Sequence, residues 1–179
     1  MKYLILLEGS TEKAFIEILM DKGIFAINAD DMLDMRPHQK RQIDTYLLAL
    51  IRQLDLDDKV KIIKIGDKMS DKLRIPKDII NKIESEEKYC TKPEFEMLLI
   101  LAEGLTKEYG KVKSTIKPKS FAKEYIVHNK DKYTNSSKWI KSYFEEWNTR
   151  NIKNLLQSYK KYKHHHLNEN YLIDLLIKM

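Results

Sequence analysis

The first 105 residues alternate between short apolar runs and longer amphipathic segments, and this alternation restricts the fold more than any other feature. Strand-like apolar runs occupy residues 2–7, 24–27 and 60–65. Apolar residues at helical spacing predict helices over residues 10–22, 38–54, 76–83 and 93–104. Strands that alternate with helices are typical of an α/β domain, in which helices cover a mainly parallel sheet.

The rest of the chain is basic and predicted to be helical, over residues 120–127, 136–147, 150–162 and 168–178. Residues 107–163 carry a local charge of +10, whereas the whole chain has a net charge of +6. We therefore expect an α/β domain over residues 1–105 and a basic helical C-terminal subdomain over residues 106–179. A basic block favours contact with nucleic acid, although a lysine-rich solvated face has the same composition. The candidate contacts are Lys160, Lys161 and Lys163.

Cysteine content and hydropathy indicate the compartment. The chain has one cysteine, Cys90, so it can form neither an internal disulfide nor a thiolate zinc cluster, as is usual in the reducing cytoplasm. The longest apolar run, residues 97–102, is much shorter than the roughly 18 residues of a membrane span. Glu8 interrupts the N-terminal apolar stretch before it reaches the length of a signal peptide. We expect a cytoplasmic protein without a membrane segment.

Acidic residues lie just after two of the predicted strands. Glu8 follows the first strand and precedes Gly9 and a helix start, and Asp67 follows the strand at residues 60–65. Parallel strands end at the same edge of a sheet, where open α/β folds bind their ligands, so the two carboxylates are expected to converge. Carboxylate oxygens, water and phosphate oxygens are the ligands that Mg²⁺ prefers. Asp71 is a weaker candidate, and each acid could equally belong to an ordinary turn.

Two further acids, Glu94 and Glu96, fall in the first turn of the helix predicted from Pro93. A helix N-terminus favours negative charge, and this alone explains one of them. Glu96 adjoins the apolar run of residues 97–102. We therefore expect its side chain to face the strand ends rather than bulk solvent, as a supporting residue of the site.

The segment Glu8-Gly9-Ser10-Thr11-Glu12 resembles the Glu-Gly-x-x-Glu signature of Toprim domains, which occur in topoisomerases, bacterial primases and OLD-family nucleases. Residues 95–99, Phe-Glu-Met-Leu-Leu, are similar to the helix motif of the RloB-like Toprim proteins of bacterial defence islands. The resemblance covers roughly residues 2–105. It implies a Toprim-like sheet and Mg²⁺ (or Mn²⁺), bound by the first Glu and by an Asp-x-Asp pair after a later strand.

The resemblance also implies roles for individual residues. The second acid of the Asp-x-Asp pair is replaced by Met69, and Asp71 is the candidate substitute. The helix motif departs from the family as well, with Leu98 and Ala102 where a Trp and a His are common. The implied metal ligands are Glu8, Asp67 and Asp71. The implied catalytic residues are Glu8, Glu12 and Asp67, with Lys13 as a phosphate contact.

Three functions are consistent with these residues. The resemblance implies a Mg²⁺-dependent nuclease or related phosphoryl-transfer enzyme acting on nucleic acid, in phage defence or on a mobile element. The alternative is a non-catalytic Toprim-like protein that binds nucleic acid or serves as a scaffold. The third is an interaction module that needs a separate ATPase or other protein partner. Metal dependence distinguishes the first from the second, and nucleic-acid affinity of the isolated protein distinguishes the second from the third.

Overall fold

The structure, a computed structural model, describes residues 1–66, 72–162 and 170–176. The strands in these ranges are β1 (Lys2–Leu7), β2 (His38–Gln39), β3 (Val60–Gly66), β4 (Ile83–Cys90), β5 (Val127–His128), β6 (Asp131–Lys132) and β7 (Asn170–Tyr171). Five of them form one sheet in the order β2-β1-β3-β4-β7, with every neighbouring pair parallel. The predicted α/β class with a mainly parallel sheet is confirmed, and β5 and β6 form a separate antiparallel hairpin.

Helices cover both faces of this sheet. They are α1 (Ser10–Asp21), α2 (Thr45–Gln53), α3 (Glu96–Ala102), α4 (Thr106–Val112), α5 (Pro118–Tyr125), α6 (Ser137–Phe144), α7 (Thr149–Lys160) and α8 (Leu172–Leu176). Gly23 and Gly104 follow α1 and α3 with φ values of +66° and +68°, a conformation that glycine adopts without strain. Both glycines therefore end their helices.

Side-chain alternation along β1 explains why both faces are covered. Ile5 and Leu7 point into one hydrophobic cluster, which α1, α3 and most C-terminal helices complete. Leu4 and Leu6 point into a second cluster on the opposite face, beneath α2. Because all four side chains are almost fully buried, β1 is an interior strand, and its neighbours β2 and β3 are fixed in register on either side.

The prediction of a strand over residues 24–27 was wrong. Ile24, Phe25 and Ile27 lie in a loop, but they are buried in the cluster beneath α1. The second strand is instead the two-residue β2, which lies within the segment predicted to be the start of a helix. The helix itself begins at Thr45, where the Asp44 side chain accepts a hydrogen bond from the Leu47 N–H at 3.1 Å.

The prediction of a helix over residues 76–83 was also inexact, and the strand that begins within this segment was not predicted. Residues Lys77–Lys82 form a 3₁₀ helix, and Ile83 begins the eight-residue strand β4. The charges of β4 are paired along the sheet, with Lys61 Nζ of β3 lying 2.5 Å from Glu87 Oε1. Such a strand has few apolar residues, so its sequence lacks the usual signal of an interior strand.

The C-terminal helices pack on the same sheet face as α1 and α3. The rings of Phe15 in α1 and Phe144 in α6 lie 4.9 Å apart, and residues of α5, α6, α7 and α8 belong to the same buried cluster as β1. Asn170 and Tyr171 extend the sheet by pairing with Tyr89 and Cys90. Within the described ranges, no helix combines the length and apolar character that crossing a membrane requires.

Candidate functional site

A cleft of about 580 Å³ lies at the carboxyl ends of β1, β3 and β4. The first turns of α1, α3 and α5 border it, so three helix N-termini and three strand ends meet there. This is the position at which open parallel α/β sheets bind ligands. The charged residues of its lining are Glu8, Glu12, Glu94 and Glu96 on the acidic side and Arg41, Lys92, Lys117 and Lys119 on the basic side.

Glu8 is placed in the cleft by the pairing of β1 with β3. Its N–H donates to the Ile65 carbonyl at 3.2 Å, which continues the ladder one residue beyond β1. Its carboxyl group lies over Gly66, where a Cβ atom would come within 2.7 Å of the carboxyl carbon. Arg41 Nε is 3.7 Å from Glu8 Oε1. Gly66 thus leaves the space that the Glu8 carboxylate occupies.

Glu12 lies in the first turn of α1, where its carboxylate folds back over Gly9. A Cβ atom at Gly9 would overlap that carboxylate, so the glycine is required for this arrangement. Thr11 Oγ1 donates to Glu12 Oε2 at 2.8 Å. The Glu-Gly-x-x-Glu segment therefore presents both of its carboxylates to one cleft, each one resting on a glycine.

Glu96 is the first residue of α3 and is only 5% exposed, as expected from its apolar neighbours. The Tyr133 hydroxyl donates to Glu96 Oε1 at 3.1 Å, and that tyrosine is 2% exposed. Burial raises the pKa of the Glu96 carboxyl above its usual value, and the Tyr133 hydrogen bond only partly offsets this. Glu96 thus supplies a carboxyl that holds its proton more tightly than an exposed glutamate does.

Side-chain contacts connect Glu96 to Glu12 through residues of the C-terminal half. The Tyr133 hydroxyl lies 3.3 Å from Asn135 Oδ1, and Thr11 Oγ1 lies 3.5 Å from the same oxygen. Tyr133 and Asn135 were missed by sequence reasoning, because nothing in the segment 133–135 distinguishes it from an ordinary loop. The C-terminal half therefore contributes residues to the cleft as well as to the core.

Within the described residues, the lysines named from the sequence are not those that line the cleft. Lys13, predicted as a phosphate contact, forms an ion pair with Glu17 at 2.9 Å and is not among the lining residues. Lys160 and Lys161 are exposed at the end of α7 and do not line the cleft either. Lys163 lies outside the described residues. Arg41, Lys92, Lys117 and Lys119 occupy the basic side instead.

The fit of a metal ion depends on the donor set. Asp67 and Asp71 lie outside the described residues, so their place relative to Glu8 is not part of the structure. In the described part of the chain, no three His, Cys, Asp or Glu side chains are grouped closely enough to hold a metal. Mg²⁺ commonly takes only one or two protein carboxylates and fills its shell with water and phosphate oxygens. Glu8 is the one predicted ligand within the described residues, and its carboxylate lines the cleft, where it could serve as one such ligand.

Comparison of the chain with protein-family models, with curated proteins and with solved structures gave no match.

Proposed function

We propose that this chain is a Toprim-like, Mg²⁺-dependent nuclease or related phosphoryl-transfer enzyme of the cytoplasm, acting on nucleic acid. The observation that supports it best is the cleft, where Glu8, Glu12 and Glu96 share one cavity with four cationic side chains. Carboxylates can bind a hard metal cation, and cationic side chains can bind a phosphate group. One cavity could therefore bind both the metal and the phosphate of a phosphoryl-transfer reaction. The resemblance of residues 8–12 to the Toprim signature supports a role in phage defence or on a mobile element.

In this proposal Glu8 holds the metal, together with Asp67 and with Asp71 in place of the missing acid. When bound, Mg²⁺ polarises the phosphate and lowers the pKa of a bound water. Glu12 accepts the Thr11 hydroxyl at Oε2, which leaves Oε1 to take a proton from an attacking water. Glu96 lines the cleft, and the buried Tyr133 holds its carboxyl group in place through a hydrogen bond.

The second candidate is a non-catalytic nucleic-acid-binding or scaffold protein. The observation that favours it is the contact of Arg41 Nε with Glu8 Oε1 at 3.7 Å. A guanidinium beside Glu8 neutralises the charge that a metal would otherwise use. In that case the protein would act with a separate ATPase or other partner, and the cleft would only bind.

Metal-dependent stability separates the two functions. Binding to the folded state alone raises the unfolding free energy by about 2.7 kcal/mol at a metal concentration one hundred times Kd. We expect Mg²⁺ or Mn²⁺ to raise the Tm of the wild type, and Glu8→Gln to abolish both this gain and any cleavage of a labelled oligonucleotide. The matched control is Glu84→Gln, an exposed carboxylate that does not line the cleft.

A wild type whose Tm does not respond to millimolar metal would reject the enzyme in favour of the binding protein. Asp67→Asn and Asp71→Asn, measured in the same way, test the ligands that lie outside the described residues. Retention of the metal gain in Asp71→Asn would remove that residue from the ligand set.

A further inference from the structure

The start of α5 brings two unpaired cations to the cleft. Lys117 precedes the helix and Lys119 is its second residue, and both line the cavity with exposed side chains. Within the described ranges, neither ammonium group has an ion-pair partner, whereas Lys13 and Lys141 both pair with Glu17. No described residue therefore holds Lys117 or Lys119 in an ion pair that would keep it from a ligand.

The N-terminus of α5 contacts an acidic residue of the cleft. The Lys119 N–H donates to Glu94 Oε2 at 3.4 Å, which links α5 to the segment before α3. The charge of Lys119 also acts on the buried Glu96, where it favours the ionised carboxylate and so lowers the pKa. The two lysines thus lie near the carboxylates of the cleft without forming ion pairs with them.

An anionic substrate needs these charges. Four carboxylates line the cavity, and each repels a phosphate group that approaches within a few ångströms. On the basic side Arg41 is directed at Glu8, so it offsets an acid within the chain. Lysines without ion pairs at the edge of such a cavity provide the attraction that brings a phosphate to the acids.

We propose that Lys117 and Lys119 form the phosphate-holding side of the cleft and position the phosphodiester group of a nucleic-acid strand beside Glu8 and Glu12. This inference rests on the proposed function, and it assigns the binding of the substrate phosphate to the start of α5 rather than to the lysines at the end of α7. The residues it names are positioning residues, because they hold the substrate and take no proton in the reaction.

The test uses binding of a fluorescein-labelled oligothymidylate of about four nucleotides, followed by anisotropy at low salt with EDTA present. A probe this short occupies the cleft without spanning the protein surface. We expect the double variant Lys117→Gln/Lys119→Gln to lose at least about fivefold in affinity, and Lys117→Arg/Lys119→Arg to retain it. The matched control, Lys160→Gln/Lys161→Gln, removes the same charge outside the cleft and should bind the probe like the wild type.

A longer single strand of about twenty nucleotides measures the number of contacts. Each phosphate contact contributes about 0.7 to the slope of log affinity against log salt, so loss of two lysines should reduce the slope by about 1.4. If the wild type cleaves, the Lys117→Gln/Lys119→Gln double variant (the cleft variant) should have a higher KM and nearly the same kcat, because the phosphate is held equally in the ground and transition states.

Three results would overturn the inference. They are wild-type affinity in the cleft variant, an equal loss in the α7 control, and no binding of the short probe by the wild type. Failure of the enzyme proposal is a separate outcome, since it requires an unchanged Tm on addition of metal. A protein that binds the probe through Lys117 and Lys119 but gains no stability from metal would support the phosphate-binding role of these lysines and reject the nuclease function.

Discussion

Replacing Tyr133 with Phe tests whether the hydrogen bond at the floor of the cleft stabilises the protein. The tyrosine hydroxyl lies 3.1 Å from Glu96 Oε1 and 3.3 Å from Asn135 Oδ1, but it has one proton and can serve only one of them at a time. The Glu96 oxygen is the closer acceptor. Tyr133→Phe therefore removes one hydrogen bond to a carboxyl group, which is the stronger acceptor in its ionised form, and water cannot readily replace it because Glu96 is 5% exposed.

The expected cost depends on pH. Hydrogen bonds to charged groups contribute about 1.5–3 kcal/mol and neutral ones about 0.5–1.5 kcal/mol. Burial raises the pKa of Glu96 above its ordinary 4.5, so this carboxyl adds stability below that pH and loses it as the pH rises through the folded-state pKa. Without the Tyr133 donor the pKa of Glu96 rises further. The variant should therefore lose about 1.5–3 kcal/mol at pH 8 and less at pH 4.

Urea unfolding at both pH values measures this difference, and thermal unfolding provides a check. A protein of this size changes Tm by about 2–4 °C per kcal/mol. The control is Tyr162→Phe, because Tyr162 is 43% exposed and should change stability by no more than about 0.5 kcal/mol. Glu96→Gln in the background of Tyr133→Phe completes a double-mutant cycle. A loss at pH 8 no larger than that of the control, or a coupling energy near zero, would refute the reasoning.

Two further substitutions test the cleft and the edge of the sheet. Gly66→Ala places a Cβ atom 2.7 Å from the Glu8 carboxyl carbon, so it should fold but lose the Tm gain on adding Mg²⁺, whereas Gly110→Ala, with no atom near the new methyl, should keep it. His38 is 7% exposed, and burial lowers its pKa below 6.5 despite the nearby Asp34. The wild type should thus lose stability as the pH falls below about 6.5, and urea titrations of His38→Gln should show a smaller loss, whereas equal slopes would contradict this.

The elements that were predicted correctly from the sequence are those whose apolar residue types indicate a buried position. β1 and β3 consist largely of Leu and Ile, and both are interior strands. β4 was missed because half of its residues, Ile-Glu-Ser-Glu-Glu-Lys-Tyr-Cys, are charged, and one of these charges forms a cross-strand ion pair with Lys61. The loop at residues 24–27 misled the prediction for the opposite reason, since apolar residues fill a core equally well without strand geometry.

In the candidate site, too, some residues could be predicted from local sequence signals and others could not. The positions of Glu8 and Glu12 after β1 were predictable because strand ends and glycine turns are local signals. The burial of Glu96 followed from its apolar neighbours. Asn135 reaches the cleft, and Tyr133 reaches Glu96, only because the chain folds back over more than a hundred residues from Thr11, and no local sequence pattern indicates such a contact.

Strand β7 joins the sheet only after nearly all of the described chain has been synthesised. It pairs Asn170 with Tyr89 and Tyr171 with Cys90, and Tyr171 is 1% exposed. On the ribosome, β4 consequently presents an open edge at these residues while about eighty more are translated. Unpaired strand edges recruit strands of other chains, and pairing across such a sequence separation is slow. The nascent protein therefore exposes this part of the β4 edge to other chains, and a chain stalled before residue 170 should aggregate more readily than one in which β7 has paired.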